Sequence, residues 1–405
     1  MLMRRGMTAA MRYYDIGFNM CDPMYQGVYN GKKYHETDID SVLKRCEETR
    51  VDCLLLTGSS IAESRETIKM AEALGKKHSK PRLFYTVGVH PCCVNEFVIQ
   101  EGSTIHQPTN DEEWNSRLDV TDYGFTRGKL LELYELMSLR HSSDTAFRAI
   151  GEIGLDYDRF YYSGKRMQLK FFREQLKLSC LFPEMPLFLH MRSAFEDFIA
   201  IMREFVSGFT DNEDLFNWKE LIAESDHCGT MLDASGSPVY RFDPRRKFVV
   251  HSFTGTPFEM HELLALSSNC YIGMNGTSFK DEHNIESARQ VPLERLLLET
   301  DAPWCEIKRT HVSYPYLMRA ENAVSDSTTP WLKEAYPDLE KWYDSVKRDK
   351  LVKKDQAVWP GTMVKSRNEP CTMGQVATVV ANVKGLPLKD VVSQVWETSC
   401  AVYGD

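Results

Sequence analysis

Short apolar segments of strand length alternate with amphipathic segments from residue 13 to residue 301. In residues 194–205, Phe195, Phe198 and Phe205 recur at the spacing of one helix face, and residues 39–49, 62–78 and 165–181 have the same period. The segments that predict strands are residues 13–19, 53–58, 83–90, 147–155, 186–191, 247–253, 270–275 and 293–300. This alternation predicts an α/β fold, a parallel TIM (β/α)₈ barrel.

Two segments interrupt the alternation. Residues 98–125 are polar, and residues 207–246 are mixed in character. We interpret both as loop insertions, which either shape a binding site or form solvated surface. Residues 305–405 are predicted to form a C-terminal extension packed on the barrel, with closing helices at 375–384 and 389–402. The whole chain, 1–405, is thus predicted to be a single domain with its barrel core at about 13–304.

The composition narrows the class of protein. With 42% apolar and 26% charged residues, the chain has an ordinary globular composition. A net charge of -9 argues against a broad nucleic-acid-coating face, although it leaves room for an enzyme that binds cations. The 11 cysteines include no C-x-x-C pair, which favours a reducing compartment, cytoplasmic or nuclear in preference to mitochondrial. No membrane span is expected because no apolar run is long enough. The oligomeric state is left open, and a monomer is compatible with the sequence.

Four residues of metal-ligand type each end a predicted strand: Glu152, His190, His251 and Asp301. In this barrel, active sites form at the C-terminal ends of the strands. Any one histidine after an apolar run is more often a hydrogen-bonded core residue. Two carboxylates close together, however, require a compensating cation, and with two imidazoles they suit one or two divalent ions.

Six motifs resemble those of the TatD family of metal-dependent deoxyribonucleases, in order and approximate spacing. They are the segments Tyr14-Asp15-Ile16-Gly17-Phe18-Asn19, Val87-Gly88-Val89-His90-Pro91, Gly151-Glu152-Ile153-Gly154-Leu155-Asp156-Tyr157, His190-Met191-Arg192, His251-Ser252-Phe253-Thr254-Gly255 and Glu299-Thr300-Asp301-Ala302-Pro303-Trp304. The two insertions and the long extension resemble the fungal branch of that family. The resemblance implies a metal-dependent hydrolase that acts on DNA.

The resemblance also implies site roles. Glu152 would bridge two metal ions, His190 and His251 would bind one of them, and Asp301 would bind the other. His90 and Arg192 match family positions near the substrate phosphate.

One departure from the family pattern concerns the first strand. Many relatives carry Asp-x-His-x-His there, whereas this chain has Asp15, Gly17 and Asn19. The ion beside Asp301 therefore has fewer protein ligands. That suits Mg²⁺, which keeps several waters, better than Zn²⁺, with Mn²⁺ and Zn²⁺ as alternatives.

We expect Asp301, Glu152 and His90 to be the catalytic residues of a two-metal hydrolysis. Asp301 either orients and deprotonates the attacking water or is only a ligand. His90 binds phosphate, donates a proton to the leaving oxygen, or orients Glu152. Arg192 and Ser252 are predicted to donate hydrogen bonds to the substrate phosphate. Glu299 and Asp15 are predicted to lie next to the metal ligands and to orient them.

The resemblance implies a 3′→5′ exodeoxyribonuclease of DNA degradation or repair, with endonuclease activity left open. Two alternatives come from other classes, because one barrel supports many chemistries. One is an amidohydrolase acting on a small amide, lactone or ester. The other is a catalytically silent binding protein, which the absence of histidines at positions 17 and 19 suggests.

Overall fold

The computed structural model describes residues 11–99, 108, 110–211, 218, 231–318 and 343–405. Eight strands form one sheet in chain order, and parallel pairing joins neighbouring strands such as the fifth and sixth. They are β1 Tyr13–Phe18, β2 Val51–Leu56, β3 Arg82–Val87, β4 Phe147–Asp156, β5 Leu187–Arg192, β6 Phe248–His251, β7 Cys270–Met274 and β8 Leu296–Leu298. A parallel bridge between Phe18 and Ala302 joins the two edges of this sheet. The predicted TIM barrel is therefore confirmed.

Helices follow the strands much as the apolar periodicity predicts. They are α1 Ile39–Glu48, α2 Ile61–Lys77, α3 Asp111–Asp119, α4 Tyr123–Ser143, α5 Lys165–Ser179, α6 Phe195–Ser207, α7 Pro257–Leu266, α8 Glu282–Gln290, α9 Tyr314–Met318, α10 Arg348–Leu351, α11 Met373–Lys384 and α12 Leu388–Tyr403. Among the described helices, none has the length and apolar character needed to cross a membrane.

The two predicted insertions differ in how much of them is described. The first contains α3, whose N-terminal Asn110 side chain accepts a hydrogen bond from the Glu113 amide at 3.0 Å. In the second, Phe209–Thr210 pairs with Val239–Tyr240 as a short antiparallel ribbon. Most of residues 212–230 lies outside the described residues, as do residues 319–342 of the predicted extension.

The described chain divides into two compact units. One, called unit A here, comprises the described parts of residues 1–54, 77–83 and 274–405. The other, unit B, comprises the described parts of residues 55–76 and 84–273. Unit B contains Glu152, His190 and His251, whereas unit A contains Asp301.

In unit B, burial along β5 shows where side chains reach solvent. Leu187, Phe188 and Leu189 are fully buried, as expected for a parallel strand covered on both faces. The next polar residues are progressively more open, with His190 half-buried and Arg192 exposed. The strand thus presents polar side chains only at its C-terminal end.

In unit A, the last strand is shorter than predicted. Residues Leu293–Arg295 form a 3₁₀ turn after Pro292, and β8 covers only Leu296–Leu298. Beyond it, the Thr300 amide donates to the Asp15 carboxylate at 2.9 Å. The Asp15 side chain therefore accepts the hydrogen bond that a backbone carbonyl of a neighbouring strand would otherwise accept.

The C-terminal extension is joined to α1 by a buried ion network within unit A. Arg45 Nε lies 2.6 Å from Glu369 Oε2, and an Arg367 guanidinium nitrogen lies 2.6 Å from Asp38 Oδ2. Arg367 also contacts Glu369 at 2.8 Å. Because all four side chains are almost completely buried, each charge depends on the others for compensation.

Candidate active site

Three imidazole rings surround one carboxylate oxygen at the C-terminal ends of strands in unit B. Glu152 Oε1 lies 2.7 Å from His190 Nδ1 and 2.7 Å from His251 Nε2. His90 Nε2 lies 3.4 Å from the same oxygen. The two ligand nitrogens of His190 and His251 are 3.3 Å apart. Four residues predicted from separate motifs are therefore brought together.

Strand register places these side chains. His190 of β5 is paired with His251 of β6 and with Gly154 of β4. A Cβ at Gly154 would lie 1.9 Å from the His190 carbonyl oxygen, and its φ of +153° disfavours other residues. The Phe188 ring stacks on His251 with centroids 4.3 Å apart. Close strand approach and ring packing thus fix both imidazoles.

Charges in the cluster are strongly coupled. Burial alone would raise the pKa of Glu152, but His251 and the hydrogen bond to His190 hold it well below its usual value. Burial would lower the pKa of His190, but hydrogen bonds to Asp156 and Glu152 raise it instead. The buried glutamate is thus an anion facing nitrogen donors, which is the donor set that a divalent cation requires.

His90 has a defined tautomer. Its Nδ1 accepts a hydrogen bond from the Cys92 amide at 3.0 Å, so the proton of the neutral ring is on Nε2, the atom that faces Glu152. Burial lowers the pKa of His90 to about 3, so the ring stays neutral. His90 is therefore a hydrogen-bond donor in this arrangement.

Cys92 lies beside this cluster. Its sulfur and ligand atoms of His90 and Asp156 lie within 4.8 Å of one another. Burial raises the pKa of the Cys92 thiol to about 12, which keeps it protonated at neutral pH. A protonated thiol is a poor metal ligand, because the thiolate is the form that binds.

Asp156 was not assigned a role by the sequence, yet it contacts the cluster. Its Oδ2 lies 3.3 Å from His190 Nε2, on the opposite side of the ring from Glu152. A carboxylate in this place orients the imidazole and makes it a better ligand. The signal was present in the alternation of β4, which directs Glu152, Gly154 and Asp156 to the same side.

Two glutamines of α5 support the site from behind. The Gln168 side chain accepts from the Asp156 amide at 2.8 Å and donates to the Asp156 carbonyl at 2.9 Å. Gln175 makes the same pair of hydrogen bonds to Val89, at 2.8 and 3.0 Å. Each glutamine side chain thus holds the backbone at or just after the end of a strand, Gln168 at β4 and Gln175 at β3.

Arg192 and Ser252, the predicted phosphate donors, follow two of the site histidines. Arg192 is exposed, and its Nε donates to Asp158 Oδ2 at 2.8 Å. Ser252 is half-buried and has a left-handed backbone with φ of +47°. Their binding of phosphate stays a prediction.

In unit A, hydrogen bonds reach both oxygens of the Asp301 carboxylate. Oδ1 accepts from Asn19 Nδ2 at 2.9 Å, and Oδ2 accepts from the Cys305 thiol at 3.2 Å. Asn19 stands where many relatives are expected to have a histidine ligand, and here it orients the aspartate instead. Metal binding by Asp301 stays a prediction.

Asp15 and Glu299 lie behind Asp301 in the same unit and are fully buried. Asp15 accepts from the Thr300 hydroxyl at 2.5 Å and from the Thr300 amide, so it fixes the residue before Asp301. Glu299 Oε1 accepts from Asn275 at 3.1 Å. A Cβ at Gly17 would lie 2.8 Å from Glu299 Oε2, so Glu299 occupies part of the space that a larger residue at position 17 would need.

Comparisons with known proteins relate this chain to a family. The sequence profile of the TatD related DNase family matches residues 28–404. The chain is 47% identical to a Saccharomyces cerevisiae protein described as deoxyribonuclease Tat-D, over 98% of this chain and 92% of that one. It is 26% identical to an Erwinia tasmaniensis protein described as 3′-5′ ssDNA/RNA exonuclease TatD, over 72% and 80%. A crystal structure described as an uncharacterized amidohydrolase from Saccharomyces cerevisiae is similar with a TM-score of 0.82 and 45% identity, covering 97% and 100%.

The profile match spans most of the chain, and the yeast relative is similar over nearly all of it. The resemblance expected from the motifs is therefore confirmed, and the protein is a hydrolase that acts on ester bonds. The chain belongs to the TatD related DNase family.

Proposed function

We propose that the protein is a divalent-metal-dependent deoxyribonuclease that hydrolyses DNA phosphodiester bonds from the 3′ end. The observation that carries this proposal is Glu152 Oε1 at 2.7 Å from both His190 Nδ1 and His251 Nε2. DNA as substrate is supported by the names of the yeast and bacterial relatives, and the exonuclease direction by the bacterial one. Endonuclease activity is a separate proposal that the test below addresses.

The residues of unit B fit a divalent ion. An ionised carboxylate and two imidazoles within about 3 Å of one another match the ligand types and close grouping that such an ion needs. We propose that Glu152, His190 and His251 hold one ion, and that Asp301 binds a second. The second ion is inferred from the family resemblance, and Asp301 offers it a carboxylate that Asn19 and Cys305 hold at both oxygens. Mg²⁺ is the proposed physiological ion.

When bound, such ions supply Lewis acidity that lowers the pKa of a coordinated water and neutralises phosphate charge. Asp301, held by Asn19 and Cys305, orients the attacking water and accepts its proton. His90 exchanges its Nε2 contact with Glu152 for a hydrogen bond to a phosphate oxygen, without needing to be charged. Arg192 and Ser252 bind the remaining phosphate oxygens, Arg192 by exchanging its contact with Asp158.

The nuclease proposal is tested with single-stranded DNA labelled at its 5′ end and incubated with Mg²⁺. We expect the wild-type protein to shorten the labelled strand one nucleotide at a time. Glu152→Gln should abolish this activity and still give a folded protein with an unchanged circular dichroism spectrum. Glu66→Gln, at an exposed position on α2, serves as the matched control and should be fully active.

Circular single-stranded DNA separates the two modes of cleavage because it has no 3′ end. Linearisation of the circle would establish endonuclease activity, and an intact circle would restrict the enzyme to strand ends. Near-normal turnover by Glu152→Gln on linear DNA would refute the proposed site. If the protein hydrolyses a model lactone but leaves DNA uncut, it would be an amidohydrolase. The similar yeast crystal structure is described as a member of that class.

A further inference from the structure

Two adjacent tyrosines are exposed in the loop that follows β4, the strand that carries Glu152. The side chains of Tyr161 and Tyr162 are 52% and 40% exposed, and their ring centroids are 4.3 Å apart. Most other large aromatic side chains described in unit B are buried. A pair of neighbouring rings left in solvent is a surface that gains free energy when a flat apolar ligand covers it.

The loop is attached to the catalytic cluster through a chain of contacts. Arg159 Nε lies 3.8 Å from Asp156 Oδ2, and the same oxygen lies 3.3 Å from His190 Nε2. The Tyr162 amide donates to the Arg159 carbonyl at 3.0 Å, which closes a turn between them. The tyrosines are therefore two and three residues along the chain from Arg159, which contacts Asp156 beside His190.

A second attachment comes from the turn that follows His90. Asn95 in the 3₁₀ segment Pro91–Phe97 donates from Nδ2 to the Tyr162 carbonyl at 3.3 Å. Hydrogen bonds from the segments that follow β3 and β4 thus hold the backbone of Tyr162. A platform held in this way loses little conformational freedom when a ligand stacks on it.

We propose that Tyr161 and Tyr162 form a base-stacking subsite for an unpaired base close to the scissile phosphodiester. This inference rests on the nuclease function proposed above and assigns residues to the recognition of the strand. Every base has an aromatic face, so stacking on tyrosine binds single strands without a sequence preference. The bases of a duplex are already stacked on one another, so this subsite selects unpaired strand ends.

The charges around the rings favour a nucleic acid as the occupant. Arg159 lies two residues before Tyr161, and the exposed Arg192, the last residue of β5, pairs with Asp158 in the same loop. Cations next to exposed rings match a ligand that alternates phosphates with flat bases.

The subsite is tested by a cycle that removes the protein ring and the nucleobase separately. The protein variants are Tyr161→Ala and Tyr162→Ala. The substrates are one single-stranded oligodeoxynucleotide and four versions in which a tetrahydrofuran abasic residue replaces one of the four 3′-terminal nucleotides. On the complete oligonucleotide, each alanine variant should lower kcat/KM by about 5- to 100-fold, mainly through KM.

At one or two of the four abasic positions, the alanine variants and the wild-type protein should become equal, because the base that stacks is absent. The variants Tyr161→Phe and Tyr162→Phe keep the ring and should retain wild-type KM. Tyr123→Ala is the matched control, since Tyr123 is 49% exposed at the start of α4. This control variant should have the wild-type kcat/KM on every substrate.

Two results would overturn the subsite. One is an alanine variant with unchanged kcat/KM on the complete oligonucleotide, and the other is an equal loss at every abasic position. Absence of hydrolysis by the wild-type protein would instead contradict the nuclease function. In that case fluorescence anisotropy binding of the same oligonucleotides, with the same variants, decides the stacking question.

Discussion

At the scale of single residues, Asp301 depends on its neighbours for orientation. Asn19 and Cys305 each donate to a different oxygen of its carboxylate. A carboxylate held at both oxygens has few rotamers left, and a water bound to it has a defined direction. Burial raises the pKa of Cys305 well above its usual value, so the thiol keeps the proton that it donates.

This orientation predicts the behaviour of Cys305 variants. Cys305→Ala removes the donor and should lower kcat by about 10-fold or more, because a hydrogen bond to a charged group contributes roughly 1.5–3 kcal/mol. Cys305→Ser keeps a donor and should recover most of that loss. Steady-state hydrolysis of single-stranded DNA gives kcat, and Cys400→Ala on α12 is the control. Equal kcat for Cys305→Ala and the wild-type protein would show that the thiol has no orienting role.

At the scale of secondary-structure elements, the ion network between α1 and the extension dominates the buried charge of unit A. Arg45 and Arg367 face Asp38 and Glu369 with almost no access to solvent. The next residue, Asn368, donates to the Thr300 carbonyl at 3.1 Å. The network therefore also supports the chain segment that carries Asp301.

Breaking this network should be costly. Glu369→Gln leaves buried arginine charge without full compensation, and we expect the free energy of unfolding to fall by about 3–5 kcal/mol. Urea denaturation followed by tryptophan fluorescence measures the change. Glu66→Gln, which alters an exposed glutamate, should differ from wild type by less than about 0.5 kcal/mol. A loss of similar size in both variants would mean that the network contributes no more than a surface charge.

A second element-scale contact links α11 to the end of α8. Lys384 donates to the Val291 carbonyl and to the Arg289 carbonyl, the latter at 3.2 Å. Burial lowers the pKa of Lys384 from 10.5 to about 8. Between these two values the unfolded chain binds more protons than the folded one, so raising the pH stabilises the fold.

The corresponding prediction compares the wild-type protein with Lys384→Met. The wild-type free energy of unfolding, minus that of the variant, should increase from pH 8 to pH 10.5. Denaturation at several pH values across this window gives the difference, in which the titration of other groups cancels. A flat difference would place the lysine in a solvated environment, and a decrease would mean that folding raises its pKa; either result would contradict the prediction.

At the scale of the whole molecule, periodicity predicted the barrel because eight apolar strand segments are separated by helical patterns. The residues of the Glu152 cluster could be predicted because each lies in the C-terminal part of a strand or just after one. Contacts made by loops and helix faces could not be predicted. Asp301 and Cys305 meet through left-handed backbone at both residues, with φ of +49° and +56°, which sequence spacing does not reveal.

The glutamines of α5 illustrate a second limit of sequence reasoning. Gln168 and Gln175 look like polar positions on an amphipathic helix, yet both are fully buried and hold strand ends. Only the docking of α5 against β3 and β4 turns them into supports for the site. Asp156 is the intermediate case, because strand alternation placed it beside Glu152 although no role was assigned to it.

The nuclease proposal depends most on a divalent ion bound by Glu152, His190 and His251. Crystals soaked in Mn²⁺ and measured at the manganese absorption edge test it most directly. We predict one anomalous peak within about 2.5 Å of ligand atoms of Glu152, His190 and His251, and a second at the Asp301 carboxylate. Crystals that bind Mn²⁺ elsewhere, with no peak at the Glu152 carboxylate, would contradict the account.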